Sequence, residues 1–216
     1  MKRIFKNILF AGTLALGSAC SNFGSHAGFN AAYVGVNSKQ EEGYTRVFTN
    51  LDVGNDFARV HAHGLNEISG SDDSKYFGRN SLGIELGNGG IEAIVEARGD
   101  NAGLFSGQPQ YGLRDNTFPK MLGVDYGFFQ TTTNGEDGNL TLFCGKNLGG
   151  IAETLKPLSF ELFNSYDYRN DSKDSNLTEF TADWSINNHL SFFVRQDTYD
   201  LNFNDSTYII GGAIKF

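Results

Sequence analysis

His61 and His63 stand two residues apart in an alternating segment, so in an extended strand both imidazoles leave the same face and can converge on one metal ion. The sequence alone places no third ligand beside them. Two polar histidines on a solvated face is the reading it favours, and neither a metal nor a cofactor is expected. A second constellation is His189, Ser191 and Asp197, which share a strand face in the manner of a nucleophile with its base. Ser191 and Asp197 are about 20 Å apart along one strand, so Asp197 cannot orient His189. A carboxylate from a neighbouring strand, Asp183 or Glu179, would be needed. No catalytic residue is assigned, and the chain is expected not to be an enzyme. The acidic segments 71–74, 135–138 and 171–174 hold oxygen ligands, but none has the spacing of an EF-hand loop. Cys144 belongs to an apolar series, which suits a small hydrophobe better than a reactive thiol.

The elements that must position these residues are strands. Apolar and polar residues alternate with period two through most of the chain: Val47, Thr49, Leu51, Val53; Ala58, Val60, Ala62; Leu82, Ile84, Leu86; Ile91, Ala93, Val95, Ala97. The pattern continues through Leu122, Val124, Tyr126, Phe128; Leu140, Leu142, Cys144; Phe160, Leu162, Tyr166, Tyr168; and Phe180, Ala182, Trp184, Ile186. It closes with Leu190, Phe192, Val194 and with Tyr208, Ile210, Gly212, Ile214, Phe216, while a weaker first strand lies around residues 32–36. The opposite face carries Asp52, Arg59, Glu85, Glu92, Glu96, Arg98, Asp125, Glu161, Asp167, Glu179, Asp183, Arg195, Asp197 and Lys215, with acids outnumbering bases. With 27 Gly, 19 Phe, 3 Pro and 2 Cys in 216 residues, the composition is that of a turn-rich β protein and not of a disulfide scaffold. A formal net charge of −8, made more negative once Lys2, Arg3 and Lys6 are removed, excludes nucleic acid as a partner.

Those three cations precede an apolar run over residues 8–16 that ends in small residues, the layout of a secretory signal. The run is too short for a spanning helix, which needs about 20 residues. Two processing points compete, after Ala19 and after Ala27. The second defines a signal peptide over residues 1–27 and a mature domain over 28–216, whereas the first would expose Cys20 for lipidation. Tight turns are expected at 54–56, 88–90 and 187–188, where Asn and Gly tolerate positive φ, and longer loops at 66–80 and 99–120. In a transmembrane barrel the tight turns share one side. That parity requires a further strand within 99–120, near 104–113, giving about twelve antiparallel strands, with ten as the alternative.

Alternation cannot say whether the apolar face points inward or into lipid; the end of the chain can. Tyr208, Ile210, Gly212, Ile214 and the final Phe216 resemble the C-terminal strand signal of Gram-negative outer-membrane barrels, which is read by the barrel assembly machinery. In length, strand number and this terminal strand the chain resembles the small monomeric porins, such as the twelve-stranded oligogalacturonate porin family. The resemblance implies an all-β transmembrane barrel in the cell outer membrane, contacting lipid outside and passing small hydrophilic solutes inside. That family lines its pore with arginines; here carboxylates prevail, so cationic or neutral solutes are expected. Glu92, Glu96, Glu179 and Asp183 are the expected pore-lining acids, with Arg98 and Arg195 as their basic neighbours. The alternative is a non-conducting structural or surface-interaction barrel.

Overall fold

The computed structural model describes residues 24–37, 43–55, 57–69, 75–87, 89–99, 107–170 and 173–215. The signal segment up to residue 23, the acidic segment 71–74, residues 171–172 and Phe216 lie outside them. The described residues form a closed antiparallel barrel in which each strand pairs with its sequence neighbours and β1 (Gly24–Asn37) closes on β12 (Thr207–Lys215). Between them run β2 (Gly43–Gly54), β3 (Ala58–Ser69), β4 (Lys75–Leu86), β5 (Ile91–Gly99), β6 (Gln110–Asp115), β7 (Tyr126–Thr133), β8 (Gly138–Asn147), β9 (Leu158–Tyr168), β10 (Ser175–Ser185) and β11 (Leu190–Tyr199). The twelve-strand expectation therefore holds, and β6 is the strand that the turn parity demanded.

Both described chain ends lie at one end of the barrel, here the proximal end, together with the connections at 55–57, 87–90, 116–125, 148–157 and 186–189. The β4–β5 turn works because Gly87 and Gly90 take φ of +73° and +72°, open to glycine without strain. The expected contrast between short proximal turns and long distal loops is weak. The distal turn at 134–137 is as short as the proximal turns at 87–90 and 186–189, while the proximal connection at 116–125 carries a short helix, α1 (Phe118–Met121). The loop expected over 66–80 is mostly strand, since β3 runs to Ser69 and β4 starts at Lys75. Alternation fades there because both faces are polar: Glu67 and Arg79 point inward while Asn66 and Asn80 share the outward face.

The sign of the barrel is clear from burial. Leu82, Ile84, Leu86, Ile91, Val95, Leu113, Phe180, Trp184, Phe192, Val194, Ile210 and Ile214 are exposed on the outside, with Leu82 at 52 % and Trp184 at 55 %. Glu92, Glu96, Glu179, Asp183 and Arg195 are buried inside. An apolar exterior around a charged interior inverts the arrangement of a soluble barrel and matches a strand set facing hydrocarbon. The connections at the proximal end add exposed Phe57, Met121, Leu122, Ile151 and Ile186.

One strand is turned over relative to expectation. Tyr126 and Phe128 face the lumen, where both line its cavity, and Phe129 faces outward; Leu122 and Val124 precede the strand. The adjacent Phe128-Phe129 pair makes either parity equally apolar, so hydrophobicity could not decide it. Asp125, expected inside, is exposed before β7, where the hydrogen bond from Lys146 Nζ (2.8 Å) and the Asn147 N–H hold its carboxyl below the usual range.

The lumen is filled on the closing side. Tyr33, Tyr44, Phe193, Ile209 and Ala213 pack together, with the Tyr33 ring edge-on to Phe193 at 5.1 Å and to Phe48 at 5.7 Å. At the seam Gly35 faces Gly211, and a Cβ on Gly211 would lie 2.0 Å from the Val34 carbonyl oxygen. Gly211→Val should therefore cost about 1–3 kcal/mol through overpacking, read as a lower urea midpoint with β12 the first strand to lose amide protection.

Candidate functional site: the charged lumen

Inward positions on facing strands place arginines against carboxylates across the lumen. Arg46 on β2 binds Glu67 on β3 (Nη2–Oε2 2.6 Å) and reaches Glu179 on β10, donating from Nη1 to Oε2 and from Nη2 to Oε1 at 2.6 Å each. β2 and β10 are separated by β1, β12 and β11 around the ring, so this pair spans the interior. Arg195 on β11 donates to the Tyr44 hydroxyl and to Asp197 Oδ2 (2.8 Å). Arg79 on β4 holds Glu96 through two hydrogen bonds (3.1 and 2.9 Å) and crosses to Asn139 Oδ1 and Thr141 Oγ1 on β8 at 3.1 and 3.0 Å. Arg98 on β5 links Glu96 (3.1 Å) to Asp167 on β9 (2.6 Å). These bridges all sit toward the distal end, because each participating residue lies near the distal terminus of its strand.

Nearer the proximal end the interior is less crowded. Arg114 donates to Gln130 and Ser81 and stands 3.5 Å from Glu92, while Lys215 binds Asp183 at 2.6 Å. A cavity of about 500 Å³ opens here, bounded by Phe48, Phe128, Phe143 and Phe163 together with Arg46, Arg79, Arg114, Glu161 and Glu179. That volume is in the range that holds one small molecule.

All six residues expected to line a pore are inward, and all six are in ion pairs. Glu92 is 1 % exposed, Glu179 4 % and Arg195 3 %. The surplus of acids inferred from the sequence is reduced by Arg79 and Arg114, which lay in stretches that read as loops. Extending the period of Leu82, Ile84 and Leu86 backward would have placed Arg79 on the face of Ser81 and Glu85. The hydrolytic constellation does not assemble. Ser191 Oγ donates to Asp183 (2.7 Å), His189 Nδ1 lies 3.2 Å from the Lys215 carbonyl oxygen at the exposed turn, and Asp197 is occupied by Arg195. Ser191→Ala should cost about 1–3 kcal/mol for the lost bond to a buried carboxylate, and ester hydrolysis in lipid vesicles should not change. The two histidines, in contrast, gain a neighbour: β2 pairs with β3 so that Asp52 stands directly opposite His61.

No protein-family model and no curated protein matches the sequence. Among solved structures, the chain is similar to the dimeric outer membrane phospholipase of Salmonella typhi with bound calcium, at 8 % identity and a TM-score of 0.51 over 95 % of this chain and 96 % of that one. A chain from work on the in-meso crystallisation of membrane proteins matches at 9 % identity and a TM-score of 0.49, over 88 % and 83 %. The fold is that of a membrane barrel. At such identity the likeness reaches the fold alone, and nothing of the phospholipase's chemistry follows from it.

Proposed function

We propose that this chain is an outer-membrane barrel whose lumen rests shut, so that it serves as a non-conducting barrel in the unperturbed state. The carrying observation is the set of ion pairs that cross the lumen: Arg46–Glu179, made by groups almost wholly withdrawn from solvent, and the partly buried Arg98–Asp167. An open pore would leave such groups hydrated. Arg46 and Glu179 are desolvated and matched, which is a costly arrangement unless it is fully paired. Outer-membrane residence is supported by the export-like leader, the apolar exterior and the terminal strand. The test is fractionation with heat-modifiable migration on gels, followed by planar-bilayer recording. Membrane-bound, heat-modifiable protein with no steady current is expected; a soluble periplasmic monomer would sink the location, and stable wild-type channels would sink the closed state.

A second reading is favoured by the cavity of about 500 Å³, whose aromatic walls and mixed charges suit one small hydrophilic solute, cationic or neutral. In that reading the barrel is porin-like and the distal bridges act as its gate. Processing after Ala19 is favoured over Ala27, because residues 24–27 of β1 pair with β2 from Gly54 to Leu51 and cleavage at Ala27 would remove them. Intact-mass measurement should find a mature chain that retains residues 24–27; a chain starting at Gly28 would reverse the assignment.

A further inference from the structure

We infer that Asp52, His61 and His63 form a binding site for one divalent transition-metal ion of the zinc type on the lumen wall near the proximal end. Each residue offers one ligand atom, and these three atoms all lie within 4.8 Å of one another. The juxtaposition is built by register. Asp52 and His61 face each other directly across the β2–β3 hairpin, and His63 follows two residues on, opposite Asn50 and Ser81. The two imidazoles lie nearly parallel, 6° apart with centroids at 6.0 Å, so one ring must turn for both to ligate the same ion. Gly83 stands across from His61 on β4, and the Glu92 carboxylate takes up the space that a Cβ there would need.

A hydrogen-bonded histidine pair would explain less of the geometry. His61 Nδ1 is 2.6 Å from Asp52 Oδ1, but its Nε2 is buried without a hydrogen-bond partner, although Glu85 Oε2 stands 3.3 Å away. Glu85 is itself held by the Gly90 N–H at 2.7 Å, so a second carboxylate is fixed behind the ring. A carboxylate behind a ligating imidazole fixes the ring and raises its basicity. Two imidazoles and one carboxylate are a donor set for zinc and its first-row neighbours, and they leave a fourth position open. Bond lengths of about 2.0–2.2 Å to nitrogen and oxygen put ligand atoms roughly 3.5 Å apart, so the three must draw together by about 1 Å and the Asp52–His61 bond must lengthen. His63 borders the cavity and Asp52 is one-third exposed, which gives an ion a way in.

The test uses the full mature barrel, purified without a histidine tag, with zinc chloride titrated calorimetrically and magnesium chloride as the comparison. One zinc per chain is expected, with no comparable magnesium uptake. His61→Ala and His63→Ala should each weaken zinc binding at least tenfold, and the near-isosteric Asp52→Asn should do the same in a barrel that keeps heat-modifiable migration. His189→Ala, at the exposed β10–β11 turn, should leave affinity unchanged. Absence of stoichiometric zinc uptake by the wild type would overturn the site, as would affinity that survives both histidine substitutions or falls equally with His189→Ala. None of these outcomes depends on whether the barrel conducts.

Discussion

Arg46→Ala should turn a silent barrel into a leaky one. Arg46 is 7 % exposed and satisfies Glu67 and Glu179 together, with its guanidinium also 5.8 Å from the centres of the Tyr44 and Phe48 rings. Its removal leaves Glu67 and Glu179 to share Arg195, at 3.8 and 3.9 Å, which is already bound to Asp197. Breaking one partner of a buried pair costs about 3–5 kcal/mol when the orphaned charge stays dry. The cheaper response here is hydration of the lumen, since the cavity already reaches this level. Steady single-channel steps should therefore appear in Arg46→Ala and grow in the double variant with Arg98→Ala, which also releases Asp167 on the opposite wall. With Arg46 and Arg98 gone and only Arg79 and Arg195 left against Glu67, Glu96, Asp167, Glu179 and Asp197, the opened channel should prefer cations, more strongly in dilute salt because screening shortens the reach of the carboxylates. Reversal potentials in a KCl gradient read this directly. Silent double variants of unchanged stability would show that something other than these bridges closes the interior.

Leu82→Arg and Val95→Arg should each destabilise the barrel by about 2–4 kcal/mol if they sit at the bilayer midplane, less nearer either interface. The two residues oppose each other on the outward face of β4 and β5 and are well exposed. In a water-soluble barrel the same changes would be nearly neutral, because an exposed arginine costs little in water. Urea unfolding in vesicles separates the cases: a loss below about 0.5 kcal/mol for both would place this face in water.

How much was legible in the sequence follows from how cleanly each strand separates its faces. β4 and β5 were plain in the runs Leu82–Leu86 and Ile91–Val95 because every second residue is apolar and the others are charged or glycine, Ile94 apart. β3 and the start of β4 were obscured where polar groups occupy both faces. β7 was inverted because two phenylalanines adjoin. Chemistry that depends on one strand, such as the shared face of His61 and His63, could be read directly. The third ligand belongs to register between strands, yet the tight turn after Gly54 contains it: Gly54 pairs with Arg59, and stepping back along both strands brings Asp52 to His61. The bridges from Arg46 to Glu179 and from Arg98 to Asp167 join residues far apart in sequence across a closed ring, and no local pattern encodes them.

The outward polar residues have a further consequence. In mid-strand and beyond, Thr49, Asn66 and Asn80 share the outward face of β2–β4, and on β9–β10 Asn164 donates to Asn176 and Thr178 at 3.1 and 2.8 Å. Gln196 and Thr198 on β11 continue that polar stretch through Ser206. On β12 and β1, by comparison, Ile210, Val34 and Val36 keep the exterior apolar, as Leu140 does on β8. On β2–β4, Ile68 and Tyr76 lie beyond these polar groups on the same face, so the polar groups there interrupt the apolar band. Acyl chains beside the two polar flanks must shorten or tilt, at fractions of a kcal/mol per Å of mismatch. A neighbouring protein would therefore meet a differently ordered lipid layer on those flanks than on the apolar ones between them.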